Sequence, residues 1–82
     1  MTERVIGIVD FIVKQFAEKP EEVSITSEEK ENEVTVVVSA SPEDMGRIIG
    51  KQGRIAKSIR TIVKSVTGKE DKKYFVEIRD RQ

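Results

Sequence analysis

Gly50 and Gly53 stand three positions apart inside a stretch that carries cations and no acid. Between Met45 and Lys69 the chain places Arg47, Lys51, Arg54, Lys57, Arg60, Lys64 and Lys69, with neither Asp nor Glu among them. Glycine turns the backbone tightly and lets a second backbone come close, because no Cβ intervenes. A helix that starts after such a turn offers free N–H groups and the positive end of its dipole. Lys51 and Arg54 add full charges, Gln52 a hydrogen-bonding amide, and Arg47 and Lys57 extend the positive surface. The combination suits a phosphodiester backbone, with Lys51 contacting phosphate as a point charge. Ile48, Ile49 and Ile55 flank the turn, so one wall of an adjacent groove would be apolar and could accept bases. Two other readings stand beside this one. The first is a plain corner between helices, with glycines that serve geometry alone. The second is a nucleotide-binding P-loop, which needs Gly-x-x-x-x-Gly-Lys-Ser/Thr. Here only three residues separate Gly46 from Gly50, Gln52 follows Lys51, and no strand leads directly into the turn.

Composition narrows the chemistry further. The chain has 82 residues, no Cys and no His. That excludes disulfides, thiolate and imidazole metal sites, a Cys nucleophile and imidazole acid–base catalysis. Glu21–Glu22 and Glu28–Glu29 are neighbours in sequence and point apart in extended chain, so neither is a working carboxylate pair. An enzyme, a small-molecule substrate and a cofactor are therefore not expected. The formal charge is zero, yet residues 1–40 carry a net −5 and residues 41–82 a net +5. Local fields follow local charge, so neutrality does not exclude an anionic partner. The longest stretch without Asp, Glu, Lys or Arg is the nine residues Val34 to Pro42, far below the roughly 20 needed to span a membrane. With no signal peptide at the start, a soluble cytoplasmic domain spanning residues 1–82 is the expectation.

The elements that must position the turn follow from periodicity. Val5, Ile6, Ile8, Val9, Ile12, Val13 and Phe16 recur at helical spacing, and Pro20 stops that helix. Val23 to Ser27 alternates and reads as a strand, Glu28 to Glu33 as a charged turn, and Val34 to Ala40 as a second strand. Their closeness in sequence predicts an antiparallel hairpin. Ser41-Pro42-Glu43-Asp44 is a helix start, with Ser as N-cap, Pro at the first helical position and acids at the positive end. A short helix to about Ile48, a break at Gly50-Lys51-Gln52-Gly53 and a second helix from Arg54 to a cap at Gly68 are expected. Ile55, Ile59, Ile62, Val63 and Val66 form the apolar stripe of that second helix, and Arg60 and Lys64 read as solvated. Lys72 to Arg79 alternates as a last strand. The order α-β-β-α-α-β predicts an α+β domain of three helices packed on one face of a three-stranded sheet. Phe75 and Val37 fall on the opposite, open face and are candidates for a partner surface.

The segment around the turn resembles the KH signature, aliphatic-Ile-Gly-x-x-Gly-x-x-Ile-x-x-Ile, at Ile48, Ile49, Gly50, Gly53 and Ile59. Ala56 holds a position where that signature has an aliphatic residue, with Ile55 just before it. A KH domain clamps about four nucleotides on its Gly-x-x-Gly loop. One helix and two strands before the loop, and one strand after it, resemble the type II arrangement. In length, order and motif the chain is similar to the small bacterial KhpA family. The resemblance implies a cytoplasmic protein that binds single-stranded RNA, as a post-transcriptional regulator or RNA chaperone. It also implies self-association or pairing with a second KH-containing protein, in control of cell growth, shape and division. The implied RNA-binding residues are Arg47, Ile48, Ile49, Gly50, Lys51, Gln52, Gly53, Arg54, Ile55 and Lys57. The alternative is a protein-interaction module of KH shape with little RNA binding of its own.

Overall fold

Valine builds most of the interior, and it does so from two periodicities. Helix α1 (Thr2–Phe16) buries Val5, Val9 and Val13, a ridge spaced four residues apart. Strand β2 (Glu33–Ser39) turns Val34, Val36 and Val38 to the same side, two residues apart, and all three are fully buried. The computed structural model describes residues 1–79, with residues 50–52 described as backbone alone. Strand β1 (Ser24–Lys30) runs antiparallel to β2, with Ser24 opposite Ser39 and Lys30 opposite Glu33. This is the expected hairpin, closed by a tighter turn at residues 31–32 because Glu28, Glu29 and Lys30 continue the strand. Strand β3 (Lys73–Ile78) joins the other side of β2 in parallel, so the sheet order is β1-β2-β3. A parallel neighbour requires a long crossover, and here the crossover is the helical run that carries the two glycines.

That run, α2 (Pro42–Thr67), differs in detail from the expected pair of helices. The helix is continuous from Pro42 to Thr67, and Gly53 within it has a φ of 65°. A left-handed residue cannot sit inside a straight right-handed helix, so two helical arms meet at Gly53. With α1 they give the three helices and the α-β-β-α-α-β order expected from the sequence. Gly68 is the C-cap, in right-handed conformation at φ −59°.

The core gathers Val5, Val9, Val13, Val36, Val38, Ala40, Met45, Ile48, Ala56, Ile59, Val63 and Val76 between the helices and one sheet face. Phe16 and Ile62, expected in apolar stripes, are exposed. The buried ridge of α1 ends at Val13, and that of α2 runs through Ala56, Ile59 and Val63. On the open face Phe75 is exposed as expected, but Val37 is only 5% exposed. Val37 lies in the central strand between Thr26 and Glu77. The Arg79 guanidinium spans the same face, donating to Glu28 Oε2 at 2.9 Å and Glu77 Oε2 at 3.1 Å. A long side chain lying across a sheet covers apolar surface with its stem while its head stays in water.

Candidate nucleic-acid interface

The start of α2 is tied down before the basic surface begins. Ser41 Oγ accepts from the Asp44 amide at 3.3 Å, the expected N-cap, and donates to Asp44 Oδ2 at 3.1 Å. Asp44 is buried, and it reaches beyond its own helix. Its Oδ1 accepts from the Glu18 amide at 2.9 Å and its Oδ2 from the Lys19 amide at 3.0 Å. These backbone donors, with Ser41 and Arg47 behind them, hold its carboxyl below the usual aspartate range. Asp44 therefore steadies the Ser41 cap of α2 and clamps the chain leaving α1 against it.

Past this junction the structure apportions the isoleucines. Ile48 is buried in the core, whereas Ile49 is 51% exposed. Ile48 therefore supports the turn from beneath instead of facing a ligand, because its position on α2 points to the sheet with Met45. Ile55 is half-buried, and Ala56 at the departing signature position is buried in the core. Arg54 and Lys57 are exposed on the arm that follows Gly53. Among the described residues neither has an acidic partner. Arg47 differs: its Nη2 donates to Glu18 Oε1 at 2.6 Å, and its Nη1 lies 3.6 Å from Asp44 Oδ1. The side chains of Lys51 and Gln52 lie outside the described residues, as does Gly50 beyond its backbone.

The fold also brings in residues that the sequence reading left as solvated. A groove of about 240 Å³ runs between the second arm of α2 and β3, lined by Arg60, Val63, Lys64, Tyr74, Phe75 and Val76. Lys73 and Arg79 donate their amides to Asn32 and Val38, so the odd-numbered residues of β3 face β2. The backbone groups of Tyr74, Val76 and Ile78 consequently point away from β2, along the outer edge of the sheet. Arg60 Nε reaches the Val76 carbonyl on that edge at 3.4 Å. Lys72 and Lys73, together with Glu70, line an adjoining depression that shares Lys64, Tyr74 and Phe75 with the groove. The four-residue spacing of Arg60 and Lys64 signalled one basic helix side; only the parallel pairing of β3 shows that this side borders a groove, whereas Lys57 lies with Arg54 in a separate depression.

A three-helix, three-stranded α+β domain with a Gly-x-x-Gly turn set in a basic helical run is a type II KH domain. The chain matches the KhpA/KhpB KH-domain family over residues 7–78 and belongs to that family. It is 57% identical over 67 residues to the RNA-binding protein KhpA of Listeria monocytogenes, covering 82% of this chain and 88% of that one. It is 49% identical over 71 residues to the KhpA of Clostridium perfringens, covering 87% and 95%. The KhpA of Borreliella burgdorferi is 36% identical over 75 residues, 92% of each chain.

Proposed function

We propose that the protein binds a short single-stranded RNA segment across the Gly50–Gly53 turn and along the groove beside β3. The observation that carries this reading is Gly53 at φ 65°, placed between two helical arms in an acid-free basic run. On this reading the sugar–phosphate chain passes over Gly50 and Gly53, where no Cβ obstructs it. Lys51, Gln52, Arg54 and Lys57 contact phosphates. Bases lie against Ile49 and Ile55 and turn toward the β3 edge, whose outward amides and carbonyls at Tyr74, Val76 and Ile78 can hydrogen-bond base edges. Arg60 and Lys64 line the far wall. No helix among the described residues is long and apolar enough to cross a membrane, and the reading assigns the protein no catalysis and no cofactor. A single module of this size binds weakly and with salt dependence. Pairing with a second copy or a second KH-containing protein raises affinity through effective concentration. The family's relatives, named as RNA-binding proteins, support this reading, and a role as post-transcriptional regulator or RNA chaperone follows from it.

The test is fluorescence anisotropy of labelled single-stranded RNA and matched DNA at two salt concentrations. Wild type is compared with Lys51→Asp/Gln52→Asp, with circular dichroism to verify folding. Binding of RNA that disappears in the folded variant supports the reading. Equal binding by both proteins, or none by either, favours the interaction-module alternative.

A further inference from the structure

Arg47 sits one helical turn before Gly50, on the side of α2 that leads into the turn. Its sequence position makes it an obvious phosphate ligand. The tertiary structure surrounds it differently. Glu18 arrives from the end of α1 and takes Nη2 at 2.6 Å, while Asp44 lies 3.6 Å from Nη1. Glu43 sits on the same helix end and is itself engaged by Lys19 at 3.3 Å. At this junction Glu18, Asp44 and Glu43 surround Arg47, and Glu43, Glu22 and Glu21 surround Lys19, so acids outnumber the two cations and an approaching phosphate meets no net attraction.

Nor is the Glu18 contact a loose surface encounter. The Glu18 amide is fixed by the buried Asp44 carboxylate at 2.9 Å, which places its side chain over α2. Arg47 is fixed from the other side by α2 itself. Both partners are held by backbone before the ion pair forms, which reduces the entropy normally lost in ordering two long exposed side chains. Both side chains nevertheless remain partly open to solvent, Arg47 at 46% and Glu18 at 66%. A ligand could therefore reach the guanidinium if the carboxylate were absent.

We propose that Glu18 marks one end of the RNA path by holding Arg47 out of it. This rests on the RNA-binding reading above. Glu18 occupies the guanidinium that a phosphate would otherwise take, and the basic surface begins in effect at Lys51. Asp44 builds this boundary into the fold, because the same carboxylate that holds the Ser41 cap hydroxyl also holds the Glu18 amide beside Arg47. The device acts as a local competitor: an RNA phosphate gains Arg47 only by displacing Glu18.

The experiment is RNA anisotropy over a salt series with wild type, Glu18→Gln, Arg47→Gln and the double variant, each checked for folding by circular dichroism. Glu18→Gln is expected to bind about two- to five-fold tighter, the range set by breaking an exposed ion pair. Its log–log salt slope should steepen by about 0.7, one added phosphate contact on a single strand. Arg47→Gln should lower affinity more in the Glu18→Gln background than in wild type, and should return the slope to its wild-type value. An unchanged affinity and slope in folded Glu18→Gln overturns the proposal, as does a gain that survives in the double variant. If RNA binding is intact and sensitive to Lys51→Asp/Gln52→Asp while Glu18→Gln is silent, only the boundary fails. A wild type that binds no RNA fails both readings.

Discussion

Replacing glycine with alanine should have opposite signs at two places in this chain. Gly7 lies inside α1, exposed, and a Cβ built there meets nothing within 4 Å. Gly53 also has open space around its Cβ direction, but its φ is 65°. Sterics against neighbouring atoms are thus absent at both, and backbone conformation alone decides. Glycine in a helix interior is about 0.8–1 kcal/mol worse than alanine, so Gly7→Ala should stabilise by about that much. A left-handed residue with a Cβ costs roughly 1–2 kcal/mol, partly offset by the ~0.4–1 kcal/mol that alanine removes from the entropy of the unfolded chain. Gly53→Ala should therefore destabilise by about 1 kcal/mol. In a domain of this size 1 kcal/mol moves Tm by roughly 4–8 °C, so the two variants should melt on either side of wild type, separated by about 10 °C. Gly53→Asn should fall between wild type and Gly53→Ala, since asparagine tolerates this region better. Thermal melts followed by circular dichroism read all three. If Gly53→Ala melts at or above wild type, the left-handed turn at the centre of the proposed site is refuted, and the close backbone approach there with it.

Three further outcomes follow from the packing and the charges. Ile59 is fully buried, so Ile59→Ala should lose about 2–5 kcal/mol in urea denaturation; a loss below 1 kcal/mol would show that α2 is not seated on the sheet as described. The Asp44 carboxyl is lowered chiefly by the Glu18 and Lys19 amides, so its contribution is present above about pH 4 and is lost as pH falls through the lower folded value. Acid melts of Asp44→Asn should show a shallower decline over that window than wild type, and identical declines would contradict the clamp. Phe75 is exposed on the open sheet face, so Phe75→Ser should leave Tm nearly unchanged; light scattering then reads whether this face holds a second copy, and an unchanged mass removes it as the self-association surface.

Much of the architecture was legible because it rests on local rules. The β-branched alternation of Val34 to Val38, the Ser41-Pro42 start of α2 and the proline after α1 each act over a few residues, and each appears where its chemistry puts it. The extent of the turn was less legible. Four residues read as a break, yet the helix is continuous from Pro42 to Thr67 and the left-handed backbone falls on Gly53, because a glycine can take that conformation without a Cβ clash. Phe16 and Ile62 show a second limit. Periodicity names the apolar residues of a helix, but the width of the buried stripe depends on what packs against it.

By itself, the sequence determined the element order, the family signature, and the separation of charge that leaves the glycine turn among cations. These depend on spacing along the chain, which carries over directly into helix faces, strand faces and turns. Only the tertiary structure decided that Arg47 is engaged by Glu18 while Arg54 and Lys57 have no acidic partner among the described residues. It alone placed Arg60 and Lys64 beside the β3 edge and buried Val37 in the central strand. Glu18 and Arg47 are 29 residues apart in the chain. Their meeting depends on the angle at which α1 and α2 pack on the sheet, which no local pattern encodes.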